Sequence, residues 1–138
     1  MVRRFIAVKA LGLSAVLLAA CSREAPSSLA GRGLYDANGC ASCHGPAGRG
    51  DGPLASTLPA KPTDLWNASL FKHGATESAI AKTIAQGVAT IHNAPDSKAI
   101  HHQSLMPSFN HLTDTERRSI ALYVISMRTD PNRGRNQP

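Results

Sequence analysis

The sequence predicts a small all-α domain, and three observations carry that expectation. Thr113-Asp114-Thr115-Glu116 is a capping box, and it opens a stripe of Ile120, Val124 and Met127 at helical spacing with Tyr123 beside it. Thr76 to Gln86 has a similar design, with Thr76 as N-cap, Glu77 in the first turn, Ile80 and Ile84 on one face and Gly87 past the end. No stretch alternates apolar and polar residues with the period of two that a half-buried strand needs. At 138 residues the chain has room for one domain.

The first stretch does not belong to that domain. Met1-Val2-Arg3-Arg4 and Lys9 are basic, and an apolar run from Ala10 to Ala20 follows, broken only by Gly12 and Ser14. This is the length of a signal-peptide core and too short to span a bilayer. The run ends in Leu18-Ala19-Ala20-Cys21, which resembles the bacterial lipobox, where cleavage before the cysteine is followed by acylation. The expected organisation is a lipoprotein signal peptide over 1–20, acylated Cys21 and a polar tether over 21–28, a folded domain over 29–129 and a disordered basic tail over 130–138. Ser22, not Asp, after the cysteine favours the outer membrane in proteobacterial sorting.

Within the domain, a short helix is expected from Leu29 to Asn38, with Leu34 and Tyr35 on the buried face, Gly31 one turn before Tyr35, and Gly39 as the stop. Next comes Cys40-Ala41-Ser42-Cys43-His44. Two thiols one helical turn apart can reach two vinyl groups on one porphyrin edge, and the adjoining imidazole then lies beneath the iron. The motif predicts one covalently attached haem c, with Cys40 and Cys43 as thioethers and His44 as proximal ligand. A glycine- and proline-rich loop, Gly45 to Pro53, lets backbone pass close to a flat ligand. Thr63-Asp64-Leu65-Trp66 is expected to begin a short helical turn, and Val88 to Ser104, rich in histidine, shows no assignable pattern. Asp130-Pro131 ends the last helix.

Competing readings of the motif fare worse. A zinc site needs two more ligands, for which His92, His101, His102 and His111 are candidates, but no second paired-ligand motif appears. A thioredoxin-like pair needs a βαβ context that is absent. Cysteine counting closes without a disulfide, since Cys21 goes to lipid and Cys40 and Cys43 to haem. The export signal and the haem motif both point to the periplasmic side of a bacterial membrane.

The formal charge of +6 loses Arg3, Arg4 and Lys9 with the signal peptide, leaving twelve Lys and Arg against nine Asp and Glu. Arg133 and Arg135 lie in the tail, so the folded body is near neutral. Nucleic acid is not an expected partner.

The order of helix, C-x-x-C-H, Gly48-x-Gly50-Asp51-Gly52-Pro53 loop, middle helix, Met106-Pro107 and capped terminal helix resembles a single-haem class I cytochrome c over Leu29 to Arg128. The resemblance implies three to four helices around one haem, with the terminal helices crossing through Gly31, Tyr35 and Tyr123. It implies Met106 as the distal iron ligand, with His101 and His102 as alternatives, and Met127 as a packing residue. It implies the Pro53 carbonyl as the acceptor that orients His44. Trp66 either donates its indole N–H toward a haem propionate or packs in the core, and His73, His92 and His111 read as surface or loop residues. The expected function is one-electron transfer between donor and acceptor redox proteins, with no small-molecule substrate and no catalysis by this chain. The alternative is a dedicated cytochrome subunit of an oxidoreductase complex, and behind both stands a haem peroxide or gas sensor.

Overall fold

The computed structural model describes residues 24–89 and 105–129. The expectations for the leader, Cys21, Ser22, the stretch holding His92, His101 and His102, and the basic tail lie outside the described residues. Among the described residues four helices form: α1 (Ser28–Ala37), α2 (Cys40–His44), α3 (Glu77–Gln86) and α4 (Asp114–Thr129). Two single 3-10 turns, Ala55–Thr57 and Ala68–Leu70, punctuate the connection from α2 to α3. Among the described residues no helix is long and apolar enough to cross a membrane.

The helices α1, α3 and α4 each begin where a side chain satisfies an otherwise orphaned N–H. Ser27 accepts from Ala30 N, so α1 starts one residue earlier than the apolar pattern suggests. Thr76 accepts from Ala79 N at the head of α3. At α4 the capping box is reciprocal. Thr113 Oγ1 accepts from Glu116 N at 3.3 Å, while Glu116 Oε2 accepts from Thr113 N at 2.7 Å and from the Thr113 hydroxyl at 2.8 Å.

The core lies where α1 and α3 pack on α4. Tyr35, Ile80, Ala81, Ile84, Ile120, Ala121, Tyr123, Val124 and Met127 are buried together, with Leu65 and Leu112 closing the cluster. The crossing of α1 and α4 is at Gly31. A Cβ there would come within 1.9 Å of the Ser119 carbonyl oxygen, so the two backbones meet with no room for a side chain. One turn on, the Tyr35 and Tyr123 rings meet edge to face with centroids 5.4 Å apart, a geometry worth about 1 kcal/mol beyond area burial. Ser119, also buried, accepts from Ser27 N at 3.1 Å and donates to Thr115 O at 2.8 Å. The two ends of the domain, 92 residues apart in sequence, are joined there.

One element differs from expectation. Val88–Ala89 (β1) and Leu105–Met106 (β2) form an antiparallel ladder with Val88 opposite Met106 and Ala89 opposite Leu105. Strands of two residues cannot display a period of two, which is why no strand pattern announces them. Met106 therefore leaves a ladder, not a free loop.

Candidate functional site

The site grows out of the end of α1. Asn38 closes that helix by donating from its backbone N to Leu34 O at 3.0 Å and from Nδ2 to the same oxygen at 2.8 Å. Gly39, with φ of 71°, then turns the chain so that α2 starts one residue later. Cys40 and Cys43 sit three apart on this single helical stretch, both half-buried and both free thiols. Burial pushes the Cys40 thiol up to about 11.

The loop after α2 folds back on it and satisfies its last carbonyls. Gly45 N donates to Ala41 O at 2.9 Å, Leu54 N to Ser42 O at 2.9 Å, Gly52 N to Cys43 O at 3.1 Å and Gly50 N to His44 O at 2.8 Å. A Cβ on Gly52 would lie 2.4 Å from Ser42 O. Gly52 thus serves the approach of loop backbone to the motif's own backbone, and Gly50 serves its approach to the Pro62 carbonyl. Tyr35 fastens the same corner to the core by donating its hydroxyl to Gly45 O at 2.7 Å.

His44 is oriented by Thr63. Its Nδ1 lies 3.0 Å from the Thr63 carbonyl oxygen. A carbonyl only accepts, so Nδ1 carries the proton and Nε2 keeps its lone pair. The expected acceptor, the Pro53 carbonyl, is corrected to Thr63. The loop returns past Pro53 and brings Thr63 to the ring's Nδ1, with Leu65 N donating to Gly48 O at 2.7 Å. Burial lowers the His44 pKa, partly offset by the Thr63 bond, and so favours the neutral imidazole that metals take.

Of the two roles expected of Trp66, packing against the core is the one seen. Its indole N–H donates to Ala47 O at 2.7 Å, so it is spent inside the protein and is not free for a propionate. The Arg49 guanidinium lies 3.9 Å from the Trp66 ring centroid, and Asp64 Oδ1 accepts from Trp66 N at 2.9 Å. Arg49 and Asp64 also approach to 3.9 Å, an exposed pairing worth little by itself. Together these contacts brace the segment that presents the Thr63 carbonyl. Neither Thr63 nor Ala47 was legible beforehand, because every residue has a carbonyl. The Asp64-x-Trp66 spacing, where an aspartate can accept from the N–H two residues on, was the available hint.

Met106 is half-buried and packs against the core cluster, whereas Met127 is fully buried with its sulfur against Gly48. Met127 packs, as expected. His73 and His111 are exposed. Among the described residues no three His, Cys, Asp or Glu groups gather as a metal cluster.

Two thiols on one short helix, a half-buried neutral imidazole with its Nδ1 occupied, and a glycine loop closing the motif fit a covalently held haem. Fold and site therefore define a c-type haem protein. The Cytochrome c family model matches residues 28–128, and the chain belongs to the cytochrome c family. That family binds haem c covalently with its iron, one haem being typical of a domain of this size, and uses it for electron transfer. The chain is similar to a chain of the reducing HAO-like protein complex of Kuenenia stuttgartiensis. The two are 32% identical with a TM-score of 0.57, over 72% of this chain and 43% of that one. This chain thus spans less than half the length of that relative. No curated protein matches.

Proposed function

We propose that this chain is a single-haem class I cytochrome that moves one electron at a time on the periplasmic face of a bacterial membrane, anchored by acylated Cys21. The observation that carries the reading is the orientation of His44. With Nδ1 donating to Thr63 O, its Nε2 is the nitrogen left for iron. Cys40 and Cys43 hold the porphyrin edge as thioethers, and Met106 offers a thioether as sixth ligand, with His101 and His102 as the alternatives. The bound haem supplies a reversible Fe(III)/Fe(II) couple, and a Met thioether raises its potential. The rest is done by the chain: Thr63 fixes the imidazole plane, and Tyr35 and the glycine loop fix α2. A six-coordinate site has no place for a substrate, in keeping with a carrier and not a catalyst.

The tether sets the working geometry. The six steps from Cys21 to Ser27 reach at most about 22 Å when extended, so α1 begins close to the lipid surface. Confinement there raises the effective concentration near a membrane-bound partner. Ser22 favours the outer membrane.

The test is an optical spectrum of the purified protein in both redox states. A weak far-red ferric band is expected from the Fe–S(Met) bond, lost in Met106→Ala. Haem staining is expected to survive denaturation in the parent and to vanish in the Cys40→Ala/Cys43→Ala variant. A second reading, a dedicated subunit of an oxidoreductase complex, is favoured by the likeness to a chain of the Kuenenia complex. Co-purification of this protein with an enzyme at fixed stoichiometry would select it over the free shuttle.

A further inference from the structure

The segment that carries Met106 ends against the carboxy-terminal end of α3. The last carbonyls of a helix lack intrahelical donors, and two of them here are met from this segment. Phe109 N donates to Ile84 O at 2.9 Å, and the Ser108 hydroxyl donates to Ala85 O at 2.7 Å. Gly87, at φ of 70°, ends α3 with its open side against the same segment. A Cβ there would lie 2.6 Å from Met106 O and 2.8 Å from both the Pro107 carbonyl carbon and Ser108 N. Val88 then pairs with Met106 across the ladder. Residues 106–109 are thus gripped along their length by residues 84–88.

We propose that this end of α3 is a clamp that sets where Met106 presents its thioether, with Ser108 as a positioning residue. The proposal rests on the reading of Met106 as distal ligand. Pro107 has no N–H to offer, so the donors that tie the segment to α3 come from the next two residues. Of these only the Ser108 bond is made by a side chain. Ser108 is exposed, and its hydroxyl reaches across 23 residues of sequence to another element's backbone. Deleting it frees one hold on the segment while leaving Met106, the Val88 pairing and the Phe109 bond intact. The thioether then leaves the iron more often, and an added ligand competes more easily for its place.

The experiment is an imidazole titration of the full-length ferric holoprotein. Ser108→Ala is expected to bind imidazole about fivefold more tightly than the parent, the effect of losing one ordinary hydrogen bond. The far-red band should persist without imidazole, and Ser108→Thr, which keeps the hydroxyl, should return the parent affinity. Gly87→Ala, whose methyl must displace the backbone of residues 106–108, should exceed Ser108→Ala; if it fails to fold, Ser108→Ala alone decides. Parent-like imidazole affinity in Ser108→Ala, with the band abolished by Met106→Ala, overturns the clamp and leaves the ligand assignment standing. Failure of Ser108→Thr to restore the parent affinity also overturns it. A far-red band that survives Met106→Ala overturns both.

Discussion

The Tyr35 hydroxyl does two jobs through one bond. It gives a buried phenol its partner, and through Gly45 O it ties the helix crossing to the end of the haem motif. Burial pushes the phenol well above its ordinary range, so it stays a donor through mildly alkaline pH. Tyr35→Phe keeps the ring contact with Tyr123 but strands the Gly45 carbonyl. It is expected to cost about 1–2 kcal/mol in chemical denaturation; an unchanged midpoint would show that the bond is replaced at no cost. Gly31→Ala is expected to cost roughly 2 kcal/mol, since its methyl must push α1 off the Ser119 carbonyl. At this scale the legible residues were those whose side chains carry the chemistry. Cys40, Cys43 and His44 announce a haem motif because thiols and imidazoles at that spacing do little else. Thr63 and Ala47 act through backbone carbonyls, whose positions depend on the path of the chain, so the resemblance points to Pro53 where Thr63 stands and the two roles of Trp66 stay open until the fold is known.

Helix ends show the opposite case, because caps are local and written in side chains. Thr76→Ala is expected to destabilise the protein by about 1 kcal/mol, read as a shift in the denaturation midpoint. Glu116 makes a pH-dependent contribution. Hydrogen bonds from the Thr113 N–H and hydroxyl lower its pKa below the ordinary value of 4.5. The folded carboxylate is therefore favoured over the unfolded one. Its stabilisation is present above that ordinary value and is lost as pH falls through the lower folded value. Glu116→Gln should flatten the acid limb of a stability–pH curve below that ordinary value. Superimposable limbs would mean that the capping box contributes nothing to acid sensitivity. The helices α3 and α4 were readable from such caps and their stripes of Ile80, Ile84, Ile120 and Val124. The ladder of β1 and β2 was not, since its pairing is decided by where Gly87 and Met106 meet.

Across the whole molecule, the first and last described helices form the main packing contact. Tyr35 from one and Tyr123, Ile120 and Val124 from the other are nearly inaccessible to solvent. Native-state hydrogen exchange is expected to be slowest, and concerted, in α1 and α4, and fastest in the loop between Leu54 and Lys61, whose residues are largely exposed. Exchange of α1 well ahead of α4 would show that the crossing is not one cooperative unit. The all-α class was legible because the helical periods are long enough to recognise. The crossing itself was anticipated from family likeness, since one glycine and two tyrosines do not say which helices meet. Its position has a consequence for chain length. Gly31 fixes the rotation of α1 about its own axis, and only Asn38 and Gly39 separate that helix from α2. The nine steps from Gly31 to Cys40 therefore act as a phase setting, like the teeth between two marks on a gear. One alanine inserted between Asp36 and Ala37 would turn everything beyond it by about 100° and advance it by about 1.5 Å. The thiols would then leave their place beside the glycine loop although neither cysteine nor His44 had been touched, and haem staining should vanish. The same insertion between the exposed Ser56 and Thr57 should leave the stain intact.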